Sequence, residues 1–239
     1  MSEAEKQRVE AFSNTAHYTE GIMVPAVRYA GSVFLRHMKR GGSVLELGPA
    51  EGTMTDELYP LFPDYTVVDG AASFIDNLKH RYPKMEAHTC LFEEFRPSRQ
   101  YDTILLSHVL EHVADPVEIL KLCSSWLKPD GKILSAVPNS DSIHRQAAVL
   151  MGILQRVDEL GETDHRNGHR RVYNLERFQA DFRAAGLTVV KAGGYWLKSL
   201  TKAQLEQITT PEMQQAFFKL GESYPEIAGE IYVVAAKAS

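Results

Sequence analysis

The chain has 239 residues, 44% hydrophobic and 24% charged, which suits one large globular domain or a domain with a lid. Its net charge of -5 argues against a general nucleic-acid binder, which is ordinarily basic. The polar start "MSEAEKQRVEAF" lacks a signal-type apolar segment, and no apolar run is long enough to span a bilayer, so a cytoplasmic chain with no membrane partner is expected.

Residues 5–12 and 22–38 read as two N-terminal helices, the second with Val24, Val27, Val33, Phe34 and Leu35 at mostly helical spacing. Between them "SNTAHYTEG" is a polar loop holding His17 and Tyr18. From Gly42 the pattern changes. "SVLEL" is a short apolar strand, "GPAEG" a turn, and Thr53 to Leu61 a helix. "YTVVD" is a second strand, "SFIDNLKHRY" a second helix and "MEAHTC" a third strand. "YDTILLS" is a continuous apolar run, the mark of a strand covered on both faces.

"DPVEILKLCSSWL" is a helix with Asp115 as its N-cap and Pro116 in first position. "KPDGKILSAVP" is a turn followed by a buried strand. Residues 139–172 form an insertion with its own helix, and "NLERFQADFRAAG" is a helix ending at Gly186. "LTVVKAGG" and "EIYVVAAK" close the sheet, with a mainly helical segment, 198–226, between them. Cys90 and Cys123 lie in apolar segments without metal or redox spacing and read as buried free thiols in a reducing compartment.

Strand and helix alternate, so the fold class is α/β: a Rossmann-like, doubly wound, mostly parallel seven-stranded sheet with helices on both faces. Residues 1–40 are an N-terminal helical lid and 41–239 the main domain. The stretch 139–172 is an insertion after strand five, and 198–226 is either a second lid or a dimer contact, in a monomer or homodimer.

In "VLELGPAEG" a strand ends in an acid and a glycine turn opens a helix. Ligands of such sheets bind beyond the carboxyl ends of the strands, and Gly48 and Gly52 let the backbone approach a ligand closely. Asp69 ends the next strand, 21 residues after Gly48, where a carboxylate accepts both hydroxyls of a ribose. The dinucleotide fingerprint fails, because Ala50 stands where a second glycine is needed, and Glu46 and Glu51 would crowd a pyrophosphate. Acids fit a cofactor with a positive end.

Together "VLELGPAEG", "VVDG", "YDTILLSHVLEHVADP" and "LKPDGKILSAVPN" resemble the class I S-adenosylmethionine-dependent methyltransferases over residues 40–195. The "LEHV" resembles the branch of ubiquinone-biosynthesis O-methyltransferases and of sugar and natural-product methyltransferases. The resemblance implies S-adenosylmethionine as cofactor. Glu46, Gly48, Pro49 and Gly52 would line its methionine end, and Asp69 and Gly70 its ribose and adenosine. Leu91, Phe92 and Glu93 would flank the adenine, and Ser107 and His108 lie beneath the methionine. Pro49 and Glu51 depart from the family's more glycine-rich first loop.

On the acceptor side three readings stay open. His108, Glu111 and His112 share one helical face by their i, i+3, i+4 spacing, and serve there only to pack and cap. Alternatively His112 or His165 is a general base for a hydroxyl acceptor, with Glu111 beside it. In the third, His108, Glu111 and His112 bind a divalent metal with His165 or His169. That arrangement resembles the small-RNA 2'-O-methyltransferases, in which Glu and His after strand four and a later His hold a metal; here His108 would replace the first ligand.

In "ETDHRNGHRRVYNLERF" His169, Arg170, Arg171 and Tyr173 either grip an anionic acceptor or form a solvated basic loop paired with Glu162 and Asp164. His17 and Tyr18 either close over the site or cap a helix. Tyr195 and Trp196 either line the acceptor pocket or pack in the core. The expected activity is methyl transfer to a hydroxyl, or second to an amine, of a small sugar-like or anionic metabolite. The alternatives are a cofactor-binding regulator without turnover and a metal-using RNA 2'-O-methyltransferase.

Overall fold

The computed structural model of the chain describes residues 3–13 and 20–238. Among these, seven strands form one sheet: β1 (Val44–Leu47), β2 (Tyr65–Asp69), β3 (Glu86–Thr89), β4 (Tyr101–Ser107), β5 (Leu127–Pro138), β6 (Leu187–Tyr195) and β7 (Glu230–Lys237). Their order is β3-β2-β1-β4-β5-β7-β6. The pairings from β3 to β5 are parallel, and β7 runs antiparallel to both β5 and β6. The order reverses between β1 and β4, which opens a crevice at their carboxyl ends.

The helices are α1 (Glu3–Ser13), α2 (Met23–Leu35), α3 (Thr53–Leu58), α4 (Ala72–Arg81), α5 (Pro116–Trp126), α6 (Ile143–Leu150), α7 (Glu162–Arg166), α8 (Leu175–Ala184), α9 (Lys202–Ile208) and α10 (Pro211–Gly221). None is long and apolar enough to cross a membrane. Strand residues alternate between two apolar clusters, one on each sheet face. One gathers Phe34, Leu58, Ile75 and Phe218; the other gathers Trp126, Phe178 and Phe182 from α5 and α8. β1, β2 and most of β4 are buried throughout, as continuous apolar runs require, whereas β3, at the sheet edge, has no buried residue.

Helix starts follow local chemistry. Asp115 accepts the Glu118 N–H at 3.0 Å ahead of Pro116, and Asn174 accepts the Arg177 N–H at 2.9 Å to start α8.

The expected turn at "KPDG" is absorbed into β5. Its register against β4 jumps from Tyr101↔Leu127 to Thr103↔Lys132, so the intervening residues bulge without ending the strand. The insertion carries two short helices, α6 and α7, where one is expected, and the segment before β7 is split into α9 and α10 by the Thr210 cap.

Candidate functional site

A cavity of about 880 Å³ opens at the carboxyl ends of the central strands. Its first half is built on β1 and β2. Glu46 is only 3% exposed, and its Oε2 accepts hydrogen bonds from the Thr55 hydroxyl at 2.6 Å and the Tyr65 hydroxyl at 2.9 Å. Burial pushes its carboxyl up to about 7, outweighing both bonds, with Asp56 and Asp69 adding to the rise. Asp69 accepts the Ala71 N–H on Oδ1 at 2.9 Å and the Ala50 N–H on Oδ2 at 3.4 Å. Burial raises it to about 6.

Between these acids the backbone is bare and strained. Gly48 has φ +67, and a Cβ there would lie 2.8 Å from Val109 Cγ2. Ala50 takes φ 48 without being glycine, a cost of the kind stored at ligand sites. Pro49, Gly70, Leu91, Phe92, Glu93, Ser107 and His108 complete this half of the lining. Gly52 does not reach it. With φ +84 it caps α3, and a Cβ there would strike Leu78 and Arg81. A Cβ on Gly70 would come within 3.0 Å of Val9 in α1. Helix α1 lies across the opening, tied by Lys6–Glu94 at 3.0 Å and Arg170–Glu5 at 2.7 Å, and by Arg8 donating to the Gly168 carbonyl at 2.6 Å.

The second half begins at His108, held at φ 55. Its Nδ1 lies 3.3 Å from Glu111 Oε1 and its Nε2 3.7 Å from Glu230 Oε2. Burial lowers this imidazole, but the Glu230 and Glu111 carboxylates raise it more, to about 9. Glu111 is fully buried, and neither of its oxygens makes an aligned hydrogen bond among the described residues. Burial pushes its carboxyl up, but the His108 imidazolium beside it brings it below the ordinary value. The rings of His112 and His169 meet edge to face with centroids 4.8 Å apart. His169 Nδ1 lies 2.9 Å from Asp164 Oδ1, and the other Asp164 oxygen accepts from Arg145 at 3.0 Å and from the Gly161 N–H at 2.9 Å. Burial lowers His112 to about 4, so it is an uncharged imidazole at neutral pH.

Glu111, His112 and His169 place one ligand atom each within 4.8 Å of one another. His108 stands beside this group and His165 outside it. His165 is exposed on α7 and does not reach the cavity. Helix α7 ends at Arg166 and Gly168 turns the chain at φ 77, so His169 faces inward in its place.

The arginines are occupied by backbone. Arg170 N–H donates to the Glu111 carbonyl at 2.8 Å and its Nε to that of His112 at 2.9 Å. Arg171 donates to the carbonyls of Leu110, Val113 and Ala114 at 2.7, 2.6 and 2.9 Å. They clamp the insertion onto the loop after β4 and do not line the cavity. Tyr173 is buried, with its hydroxyl donating to Asp181 at 2.8 Å. Tyr195 and Trp196 are core residues, Trp196 packed on Phe218. Burial of these aromatic bodies won over exposure in the cavity. His17 and Tyr18 lie outside the described residues.

The acceptor-side cations are instead Arg166, Lys198 and Lys202, lining the cavity with His144, Arg145 and Glu230. Arg166 belongs to the basic stretch "DHRNGHRRVY" that the sequence places on the acceptor side, whereas Lys198, Lys202, His144 and Arg145 carry no local sign. Glu230 does carry a legible sign, as an acid opening the apolar strand "EIYVVAA". It is 4% exposed, and its Oε2 has no hydrogen-bond partner among the described residues.

A family model described as a methyltransferase domain matches residues 17–192. Nodulation protein S of Bradyrhizobium diazoefficiens is 34% identical over 117 residues, covering 45% of this chain and 54% of that protein. A ubiquinone biosynthesis O-methyltransferase of Coxiella burnetii is 29% identical over 105 residues, covering 42% and 45%. The chain thus spans about half the length of the curated relatives it matches. Among solved structures, the N-methyltransferase NodS of Bradyrhizobium japonicum with S-adenosyl-L-homocysteine aligns over 99% of this chain and 98% of its own, at TM-score 0.62 and 13% identity. A possible histamine N-methyltransferase of Thermotoga maritima aligns over 98% and 95%, at TM-score 0.63 and 14% identity. The residues present fit the cofactor of that fold: a buried acid for an ammonium group, a carboxylate for ribose hydroxyls, and glycine backbone between them with no room for a side chain. By its domain match and its sheet order the chain belongs to the class I S-adenosylmethionine-dependent methyltransferases.

Proposed function

We propose that the protein transfers a methyl group to a hydroxyl of a small, polar and anionic acceptor. The observation that best supports this is one continuous cavity whose two halves meet at Ser107 and His108. In the first half Glu46, Asp69 and the Gly48 backbone hold the cofactor, with Leu91, Phe92 and Glu93 beside its adenine. In the second, Arg166, Lys198 and Lys202 supply cations for a carboxylate or phosphate on the acceptor. When bound, S-adenosylmethionine supplies a methyl group on a sulfonium, whose C–S bond breaks as the new O–C bond forms, leaving S-adenosylhomocysteine.

The protein's own part is alignment and proton removal. Lys198 and its neighbours orient the acceptor. The hydroxyl proton passes to the group formed by Glu111, His112 and His169, of which His112 is uncharged and able to accept. Glu230, whose Oε2 has no hydrogen bond among the described residues, takes a second donor of the acceptor. An amine acceptor is the second reading, favoured by the same buried carboxylate, which suits an amino group.

Isotopically labelled S-adenosylmethionine incubated with fractionated small-molecule extracts tests the proposal. A labelled small product is the expected outcome. Cofactor binding with no label in any small-molecule fraction would overturn it in favour of a macromolecular acceptor or a regulatory role.

A further inference from the structure

We infer that Glu111, His112 and His169 form a binding site for a divalent transition-metal ion on the acceptor side of the cavity. Two imidazoles and one carboxylate each bring a ligand atom within 4.8 Å of the others. An ion bonded at about 2.0–2.2 Å in tetrahedral geometry holds its ligand atoms about 3.3–3.6 Å apart, so side-chain rotations that close the widest pair by up to about 1.5 Å complete the set. The case rests on three independent features of the geometry.

The first is Glu111. It is fully buried, yet both of its oxygens lack an aligned hydrogen bond among the described residues. His108 Nδ1 pairs with Oε1 at 3.3 Å, but among the described residues Oε2 is left without a hydrogen-bond partner. A buried carboxylate left in that state is costly unless something positive completes it. The second is the support behind His169. Its Nδ1 is engaged by Asp164 at 2.9 Å, and Asp164 is itself fixed by Arg145 and the Gly161 N–H. This sets the tautomer and leaves Nε2 as the ring's donor atom for an ion. A carboxylate behind an imidazole is the usual second partner of a metal-bound histidine.

The third is the rigid joint between the two halves of the set. Glu111 and His112 lie on the loop after β4 and His169 on the insertion, 57 residues later. Arg170 and Arg171 lock one onto the other through the carbonyls from Leu110 to Ala114.

The donor set selects the ion. Imidazole nitrogens favour iron, cobalt, nickel, copper or zinc over magnesium and calcium, which take oxygen ligands. Three protein ligands leave further positions for a donor atom of the acceptor, the pattern of catalytic rather than structural sites. This rests on the proposed methyl transfer and changes how the group acts in it: with an ion bound, His112 is a ligand and no longer the proton acceptor, and the ion lowers the pKa of the acceptor hydroxyl so that its proton leaves to solvent; ion binding itself is measurable without methyl transfer.

Cobalt(II) titration of the chelator-treated protein tests the inference, read by visible absorption and calorimetry. Saturable binding of one Co²⁺ per chain, displaced by Zn²⁺ and not by Mg²⁺, is expected. His169→Ala and Glu111→Gln abolish the absorption band, and His165→Ala leaves it unchanged. Asp164→Asn weakens binding by about 10- to 100-fold. S-adenosylhomocysteine binding by each variant verifies that it is folded, because that half of the cavity is built on other residues. Absence of saturable Co²⁺ binding, or a band that survives in folded His169→Ala, overturns the site. If the ion binds and no acceptor is ever methylated, the metal site stands and the proposed reaction falls.

Discussion

Glu46 binds a proton more tightly in the folded chain than in the unfolded one, because burial raises it to about 7. Its contribution to stability is therefore greatest below its ordinary range and is lost as pH rises from about 4.5 through about 7, on the order of 3 kcal/mol. A cationic ligand end reverses the preference, since it needs the ionised carboxylate. S-adenosylmethionine affinity should rise with pH up to about 7 and then level off, with Asp69 contributing a similar rise near 6. Calorimetric titration across that range measures it. Glu46→Gln should flatten the profile and weaken binding by roughly tenfold to a hundredfold, the loss of one charge-assisted contact. A mutant with an unchanged pH profile would remove Glu46 from the ammonium's neighbourhood. Gly48→Ala should cost about 1–2 kcal/mol in chemical denaturation for its left-handed backbone alone, and more through the contact with Val109.

The residue scale also marks what the sequence discloses. Glu46, Gly48 and Asp69 were legible because strand ends and turn glycines are local features. His165 and His169 were not separable, since four residues apart on a helix they would share a face. Only the end of α7 and the turn at Gly168 decide which one points inward.

Among elements, the insertion and the loop after β4 behave as one unit. Arg171 donates to three carbonyls of that loop, and its partners lie 57 to 61 residues away in sequence. No local pattern could reveal them, so an arginine pair reads as an anion site when its work is to hold backbone. Arg171→Ala should destabilise the protein by about 2 kcal/mol, a charged network broken at half-buried groups. It should impair acceptor turnover while leaving S-adenosylhomocysteine affinity nearly intact. Urea denaturation and calorimetry separate the two effects. By contrast the start of α5 was legible in full, because Asp115 and Pro116 act on their own helix. Asp115→Ala should cost about 0.5–2 kcal/mol by the same denaturation assay, with no effect on ligand binding.

At the scale of the whole molecule, α1 bridges the two halves of the cavity. Its ties to Glu94 and Arg170 are half-exposed ion pairs, and such pairs weaken with salt. Dissociation of S-adenosylhomocysteine, followed by stopped flow, should therefore accelerate as ionic strength rises. A charge-swapped pair, Lys6→Glu with Glu94→Lys, should restore the wild-type rate that either single change loses. A rate indifferent to salt would mean that apolar contacts such as Val9 on Gly70 hold α1 in place.

The antiparallel β7 sets an order in time as well as in space. Strands β1, β2 and β4, which carry Glu46, Asp69 and Ser107, all precede residue 108 and need only one another to pair. The edge of β5 and the whole of β6 stay without their partner until residues 230–237 have left the ribosome. At about 5–20 residues per second, the strands that carry Glu46, Asp69 and Ser107 are synthesised seconds before Glu230 arrives to wall the other half of the cavity. The strands under Glu46 and Asp69 are thus made first, and a chain stalled short of β7 would lack both the wall at Glu230 and the part of the core that β7 supplies.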